Sequence, residues 1–273
     1  MKNIIFIILF GTIIHAQTII TIGTISPHTL VKTKKFNKLA KYIQEQLNDE
    51  NIIVRVKIAK DISSAIELIK NDKLNILFDS VYPTVFIKKH VNTSIEAIRW
   101  KKGHKGYRSI IFVKKQSSIN SIKDLKNKSI AMEDEFSTSS YFIPKNMIKE
   151  NNLELSKYLS NNKTVRCVFS QSEENTMLKV FYGKVDAGAI DDISFKNFST
   201  NKFKIIYKSE LIPRQLVSFS TTIDKKIKEK ILEIFFDIHT KKDARDILKT
   251  ISNTKKFTPI TETELKQIQS YKL

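Results

Sequence analysis

Cysteine occurs once in the chain, at Cys167. That excludes an internal disulfide and leaves no cysteine behind the N-terminal apolar segment to carry a lipid. Glycine is scarce, at six residues in 273. None of the six stands in a phosphate loop or a dinucleotide fingerprint, motifs that need glycine where the backbone meets phosphate. Past the first 16 residues four histidines remain, His28, His90, His104 and His239, and their spacing suits no metal. There is no G-x-S-x-G elbow. Cys167 lies in an apolar stretch with no histidine partner in sequence, the setting of an inert, packed thiol. Covalent catalysis, a metal and a cofactor thus have no visible apparatus, and the chain reads as a binding protein, not an enzyme.

Acidic residues are few against basic ones. The 28 Asp and Glu face 47 Lys and Arg, a formal net charge of +19. A nucleic-acid binder shows such an excess as a patch. Here the lysines are spread along the whole chain among Ile and Asn, and no basic cluster is interleaved with aromatics. The charge is a general compositional bias, and no nucleic-acid partner is expected.

The opening stretch, "MKNIIFIILFGTIIHAQ", has a positive Lys2, an apolar run at 4–14 and a small residue, Ala16. Its 11 apolar-run residues fall short of the roughly 20 that span a bilayer. Residues 1–16 are therefore expected to be a cleavable signal peptide, and the mature protein to be periplasmic. With 41% hydrophobic and 27% charged residues, the remainder has the material for a real core.

Two α/β units follow. "TIITIG" at 18–23 is a β-branched strand. Phe36, Leu39, Ala40, Ile43 and Leu47 then recur at helical spacing. A strand at 52–59, a helix from Ile62 and a strand at 74–78 complete a β-α-β-α-β run, the pattern of a mostly parallel sheet flanked by helices. The pattern restarts with strands at 107–115, 129–133, 164–170 and 184–191, and short helices between them. Strands at 203–209 and 215–222 and a helical tail at 225–252 end the chain. The expected architecture is two lobes with a cleft between them. Residues 17–112 with 207–273 form lobe 1 and 113–206 form lobe 2, joined by strands near Phe112 and Ile206.

"EDEFSTSSYFIPKN" at 133–146 places Ser137, Thr138, Ser139 and Ser140 in a row at a helix start. One hydroxyl suffices for an N-cap. Helix N-termini also bind anions through their free amides and dipole. Two readings therefore stand: an oxyanion cradle, or a plain cap followed by solvated serines. Pro144, within the helix, is expected to remove a backbone bond and kink it.

The segment at 99–148, together with "VFSQSEENTMLKVFYGKVDAGAID" and "LIPRQLVSF", resembles the periplasmic phosphonate-, phosphite- and phosphate-binding proteins of ABC importers. The likeness extends more weakly through "LAKYIQEQL" and "LNILFDSVYPTVF", and so over nearly all of the mature chain. It implies the type II two-lobed binding fold, a monomer, and an inner-membrane permease as partner. It also implies that Ser137, Thr138 and Ser139 hold phosphoryl oxygens and that Tyr107 touches the ligand. Positions that hold an ammonium in aminophosphonate-binding relatives fall here on Ile193 and Gln215, the latter after Arg214. A ligand tyrosine becomes Ile62, and a histidine becomes Glu173. The phosphoryl half of the site is kept and the amine half is not.

Further candidates follow from position alone. Asp191 closes a strand at the crevice, where it either accepts a P–OH proton or caps the next helix. Glu173 and Glu174 suit a helix first turn. Asp79, Ser80 and Tyr82 close another strand, and Tyr82 is as suited to packing under Pro83 as to the site. Ser26 and His28 end the first strand. The expected function is capture of a phosphorus oxyanion for import. The alternative is a sensory protein that presents an oxyanion to a membrane kinase or cyclase. An arsenic-related variant of that role would need Cys167 to face the cleft.

Overall fold

A computed structural model describes residues 17–198 and 200–271. The expected signal peptide lies outside these residues. The first sheet contains β1 (Thr18–Gly23), β2 (Ile52–Val56), β3 (Ile76–Asp79) and β4 (Thr93–Arg99). Between it and the second sheet runs β5 (Gly106–Tyr107). The second sheet holds β6 (Ser109–Lys114), β7 (Ser129–Met132), β8 (Glu154–Ser156), β9 (Thr164–Phe169), β10 (Ala187–Asp191) and β11 (Phe203–Lys208). The chain returns through β12 (Ile212–Pro213) and adds β13 (Gln215–Ser220) and β14 (Phe257–Pro259) to the first sheet.

The strand orders are β14-β4-β13-β3-β1-β2 and β11-β6-β10-β7-β9-β8. In each sheet the β-α-β strands pair in parallel, and the strand that follows the crossing segment inserts antiparallel. β13 lies between β3 and β4, and β6 lies between β10 and β11. The expected crossover near Phe112 and Ile206 is corrected by this pairing. Strands β6 and β11 hydrogen-bond to each other inside the second sheet. The chain passes between the lobes one segment earlier and one later, through the β5/β12 ribbon that pairs Tyr107 with Ile212.

Nine α-helices among the described residues cover the sheets. They are α1 (Thr29–Leu47), α2 (Ile62–Lys70), α3 (Val81–His90), α4 (Ile143–Glu150), α5 (Glu173–Phe181), α6 (Asp192–Lys196), α7 (Lys225–Asp237), α8 (Arg245–Thr250) and α9 (Glu262–Ser270). None is long and apolar enough to cross a membrane. β3 reads as a continuous apolar run because both its faces are covered. Phe78 at its centre is wholly buried and meets Phe36, Phe235 and Phe257 edge to face at 5.4, 5.6 and 6.2 Å. The small residues of β10 have an equally local cause: a Cβ on Gly188 would lie 2.6 Å from the Phe112 ring.

The helix after the hydroxyl run departs from expectation. Thr138–Phe142 forms a π-helical turn, and α4 begins only at Ile143 with Pro144 in its first turn. A proline is tolerated there, since a first-turn N–H needs no partner. The wide turn replaces the expected kink.

Candidate functional site

A cavity of about 870 Å³ lies between the lobes. Lobe 1 contributes Ser26, His28, Lys32, Asp79 and Ser80, and lobe 2 contributes Glu133, Ser137, Thr138, Ser139, Glu173 and Asp191. The segments that cross between lobes add Lys101, Lys102, Tyr107 and Arg214, and Gln215 opens β13. Several helix starts meet at this space, those of α1, α3, α5 and α6 and of the turn at Ser137. Neither His28 before α1 nor Ser80 before α3 gives a side-chain cap, so their first-turn amides are left to other partners.

The four hydroxyls of the run divide their work. Ser137 caps the turn by accepting the Ser140 N–H at 3.2 Å. Ser140 is wholly buried. Its Oγ donates to the Ala189 carbonyl at 2.5 Å and accepts the Glu133 N–H at 2.7 Å, which ties the turn to β10. Thr138 Oγ1 accepts the Tyr82 N–H at 2.9 Å and meets the Tyr107 hydroxyl. A hydroxyl has one donor and two acceptor sites, so Thr138 keeps one position open. Ser139 is fixed through its carbonyl, which accepts from Ser109 Oγ at 2.5 Å, and its hydroxyl faces the cavity wall without a partner among the described residues. The cap and the hydroxyls that line the cavity therefore come from one four-residue run.

Tyr107 is 5% exposed, and burial raises its phenol pKa. The Arg214 guanidinium lies over its ring at 4.7 Å and pairs with Asp191 Oδ2 at 3.2 Å, both side chains buried. Asp191 Oδ1 accepts the Ile193 and Ser194 N–H groups at 2.9 and 2.7 Å, and so caps α6. Burial opposes the charge of Asp191, yet Arg214 and these hydrogen bonds hold its pKa below the usual carboxylate range. Glu173 sits opposite in its behaviour. Burial first, and then the Asp191 charge, push its pKa up to about 8, so near neutrality it carries a proton and can donate. Lys102 approaches it at 3.9 Å. Glu173 begins α5, but Ser172 supplies the cap and Glu174 stays exposed in the first turn.

Several candidates have other partners. Asp79 lines the cavity, but its Oδ1 accepts the Ser80 N–H at 2.8 Å and its Oδ2 accepts the Ile25 N–H at 2.9 Å and the Thr24 hydroxyl at 3.2 Å. It fixes the strand ends that shape the wall. Tyr82 does not line the cavity, which corrects its place among the ligand candidates. Its ring stacks on Phe142 at 4.6 Å, a flat apolar contact between the lobes. Cys167 is half-buried on β9 with its Sγ 3.7 Å from Met132 Sδ, away from the cavity wall, and burial pushes its pKa up to about 11. Cys167 is not among the residues that line the cavity, where the arsenic-related variant needs it.

Sequence reasoning passed over Lys101, Arg99, Lys32 and Glu133. Burial, and then the charges of Arg99, Arg214 and Lys32, push the Lys101 pKa down to about 7. Burial and the neighbouring Asp134 push Glu133 up. The available signal for the first two was "RWKKG", a basic cluster in the segment that crosses between the lobes.

Two α/β lobes around a polar cleft, joined by a paired ribbon, define a two-lobed solute-binding protein. The chain belongs to the family of phosphonate ABC transporter periplasmic substrate-binding proteins, whose model matches residues 23–265. It is similar to a Xanthomonas citri protein solved with chloride bound, at 17% identity, TM-score 0.86, and 93% and 95% coverage of the two chains. The same protein has also been solved with ATP, at 17% identity, TM-score 0.85, and 93% and 96% coverage. PhnD1 of Prochlorococcus marinus in complex with methylphosphonate matches at 19% identity, TM-score 0.70, and 93% and 97% coverage. The alkanesulfonate-binding protein SsuA of Xanthomonas axonopodis bound to MOPS matches at 12% identity, TM-score 0.57, and 93% and 91% coverage.

Proposed function

We propose that the protein captures a small phosphorus oxyanion, such as phosphate, phosphite or a simple phosphonate, and hands it to an inner-membrane ABC permease. The observation that carries this reading is the meeting, in one cavity, of Ser139 at its helical turn with Tyr107, Lys101 and Arg214 from the crossing segments. A tetrahedral oxyanion accepts from the hydroxyls and the turn amides while the cations balance its charge. Hydrogen bonds of this charge-assisted kind contribute about 1.5–3 kcal/mol each. Four of them at the upper figure, about 12 kcal/mol, exceed an association cost of about 4 kcal/mol by about 8 kcal/mol, which is micromolar binding. The methylphosphonate seen in PhnD1 supports the phosphonyl group as the ligand class. Export through the signal peptide to the periplasm, and a monomeric state, belong to the same proposal.

A second reading, a larger organic phosphate, draws on the volume of the cleft and on the ATP bound in the Xanthomonas citri protein. The charge of the wall disfavours it. Glu133, Asp134 and Glu135 line the cavity among its lysines, and a triphosphate would crowd these three carboxyl groups. Cleft closure by a hinge then fits the space to a small ligand. Native mass spectrometry of protein purified without added ligand tests the choice. A retained phosphate or small phosphonate supports the first reading, a nucleotide mass the second, and an organic cation would overturn both.

A further inference from the structure

Behind the cleft, on the lobe 1 side, is a smaller chamber of about 90 Å³ bounded by Thr24, Lys32, Asp79, Arg99, Lys101 and Gln215. The last five are not equivalent. Lys32, Asp79, Lys101 and Gln215 also line the cleft, so the two spaces share a wall, whereas Arg99 faces the chamber alone. Arg99 ends β4 and is 2% exposed, and its Nε and Nη1 groups have no hydrogen-bond partner among the described residues. Asp79, the carboxylate on this wall, already serves the Ser80 and Ile25 amides and the Thr24 hydroxyl. Arg214 nearby is held by Asp191.

A buried guanidinium without a partner costs several kcal/mol. Water in the chamber would satisfy its donors, but Asp79, whose charge favours the guanidinium, faces Lys32 and Lys101 on the same wall as well. The Nε–H and Nη1–H groups point to different edges of the planar guanidinium, and each is a charged donor free to hydrogen-bond an anion. The chamber holds roughly three waters at about 30 Å³ each, space for one small anionic group and little more. Gln215 Oε1, also without a partner, can accept from a bridging water or a protonated oxygen of that group.

We propose that the Arg99 chamber is a second anion subsite, separate from the Ser139 end of the cleft, taking one small hydrogen-bond-accepting anion. The anion arrives either free, as an inorganic ion, or as the second acidic arm of a ligand whose first arm sits at Ser139. The second source rests on the cleft reading above, and the first does not. Burial, and then repulsion from Arg99, lower the Lys32 and Lys101 ammonium pKa values, a cost that an anion beside them relieves.

Thermal unfolding and calorimetric titration of the purified protein, Arg99→Met and Ser139→Ala separate the cases. Chloride in place of gluconate, which is too large for the chamber, is expected to raise the melting temperature of the wild type and of Ser139→Ala, and not that of Arg99→Met. Phosphonoacetate, with two acidic groups, is expected to bind the wild type at least about tenfold more tightly than methylphosphonate, with the difference lost in Arg99→Met. Either effect supports the subsite and names its source. If both are missing, or both persist in Arg99→Met, the proposal is overturned. Loss of methylphosphonate binding to the wild type with the chloride effect intact would instead overturn the cleft reading alone. Should Arg99→Met fail to fold, anomalous scattering from wild-type crystals grown in bromide decides. A peak within hydrogen-bond reach of Arg99 supports the subsite, and a chamber holding only water overturns it.

Discussion

Thr138 Oγ1 in the second lobe accepts the backbone N–H of Tyr82 in the first, at 2.9 Å. Tyr82 is the second residue of α3, whose Ser80 provides no side-chain cap. Thr138 thus supplies, from across the cleft, the acceptor that a capping residue normally supplies within its own helix. The Tyr82–Phe142 ring stack lies on the same seam. On the proposed function, a ligand seated on the turn at Ser139 would adjoin this contact between the lobes, and binding and lobe closure would share Thr138.

Replacing the Thr138 oxygen should therefore disturb both. Thr138→Val keeps the shape and removes the acceptor, with an expected loss of about 1–3 kcal/mol in methylphosphonate binding, read by calorimetric titration. Thr138→Pro should abolish binding with the fold intact. Unchanged affinity in Thr138→Pro would refute the cradle.

The neighbouring serines should separate binding from stability. Ser139→Ala is expected to weaken binding by about 1–3 kcal/mol, a lost hydrogen bond to a charged group, with little change in unfolding temperature. Ser140→Ala leaves the Glu133 N–H and the Ala189 carbonyl without their partner. It should cost fold stability by about 1–3 kcal/mol, measured by urea unfolding. The reverse pattern would exchange their roles.

Tyr107→Phe removes a hydroxyl that meets Thr138 and keeps the ring beneath Arg214. Binding should weaken about tenfold or more while the near-ultraviolet circular dichroism of the protein is retained. Full affinity would leave Tyr107 a packing residue.

The Lys101 pKa is pushed down from 10.5 to about 7. Between those values the folded protein lacks a proton that the unfolded chain keeps. This group's contribution to stability therefore rises with pH across the window and is lost as pH falls toward about 7. A bound anion restores the ammonium, so binding takes up a proton and affinity should fall as pH rises from about 7 to about 10. Lys101→Met should flatten that fall. The ionisation of the ligand is common to both proteins, so their difference reports on Lys101, and identical pH profiles would exclude it from the site.

Methylphosphonate should bind more tightly than 2-aminoethylphosphonate. Asp191 is already paired with Arg214, and Lys102 stands 3.9 Å from Glu173, so an ammonium entering here adds positive charge beside cations the cleft already holds. Tighter binding of the aminophosphonate would identify Glu173, deprotonated by the ligand, as its partner.

The fold was largely legible because buried parallel strands such as β3 announce themselves as apolar runs between amphipathic helices. The crossing segments were not. Gly106–Tyr107 and Ile212–Pro213 are two-residue strands, too short for periodicity to register, so the lobe boundary was placed one strand too deep. At the site, "STSS" was visible as a cluster of hydroxyls, but its division of labour depends on long-range partners, Tyr82 and Ala189. Lys101 and Arg99 were hidden for a related reason. In a chain with 47 basic residues, the "RWKKG" cluster alone does not distinguish a buried cation from a solvated one.

Calorimetric titration of methylphosphonate into the purified protein, beside Ser139→Ala and Lys101→Met, is the most direct test that the cleft holds a phosphorus oxyanion. One saturable site near micromolar, about −8 kcal/mol, weakened in both variants, is the expected result. The contrary result is no heat of binding for methylphosphonate, phosphite or phosphate, or binding that neither substitution changes.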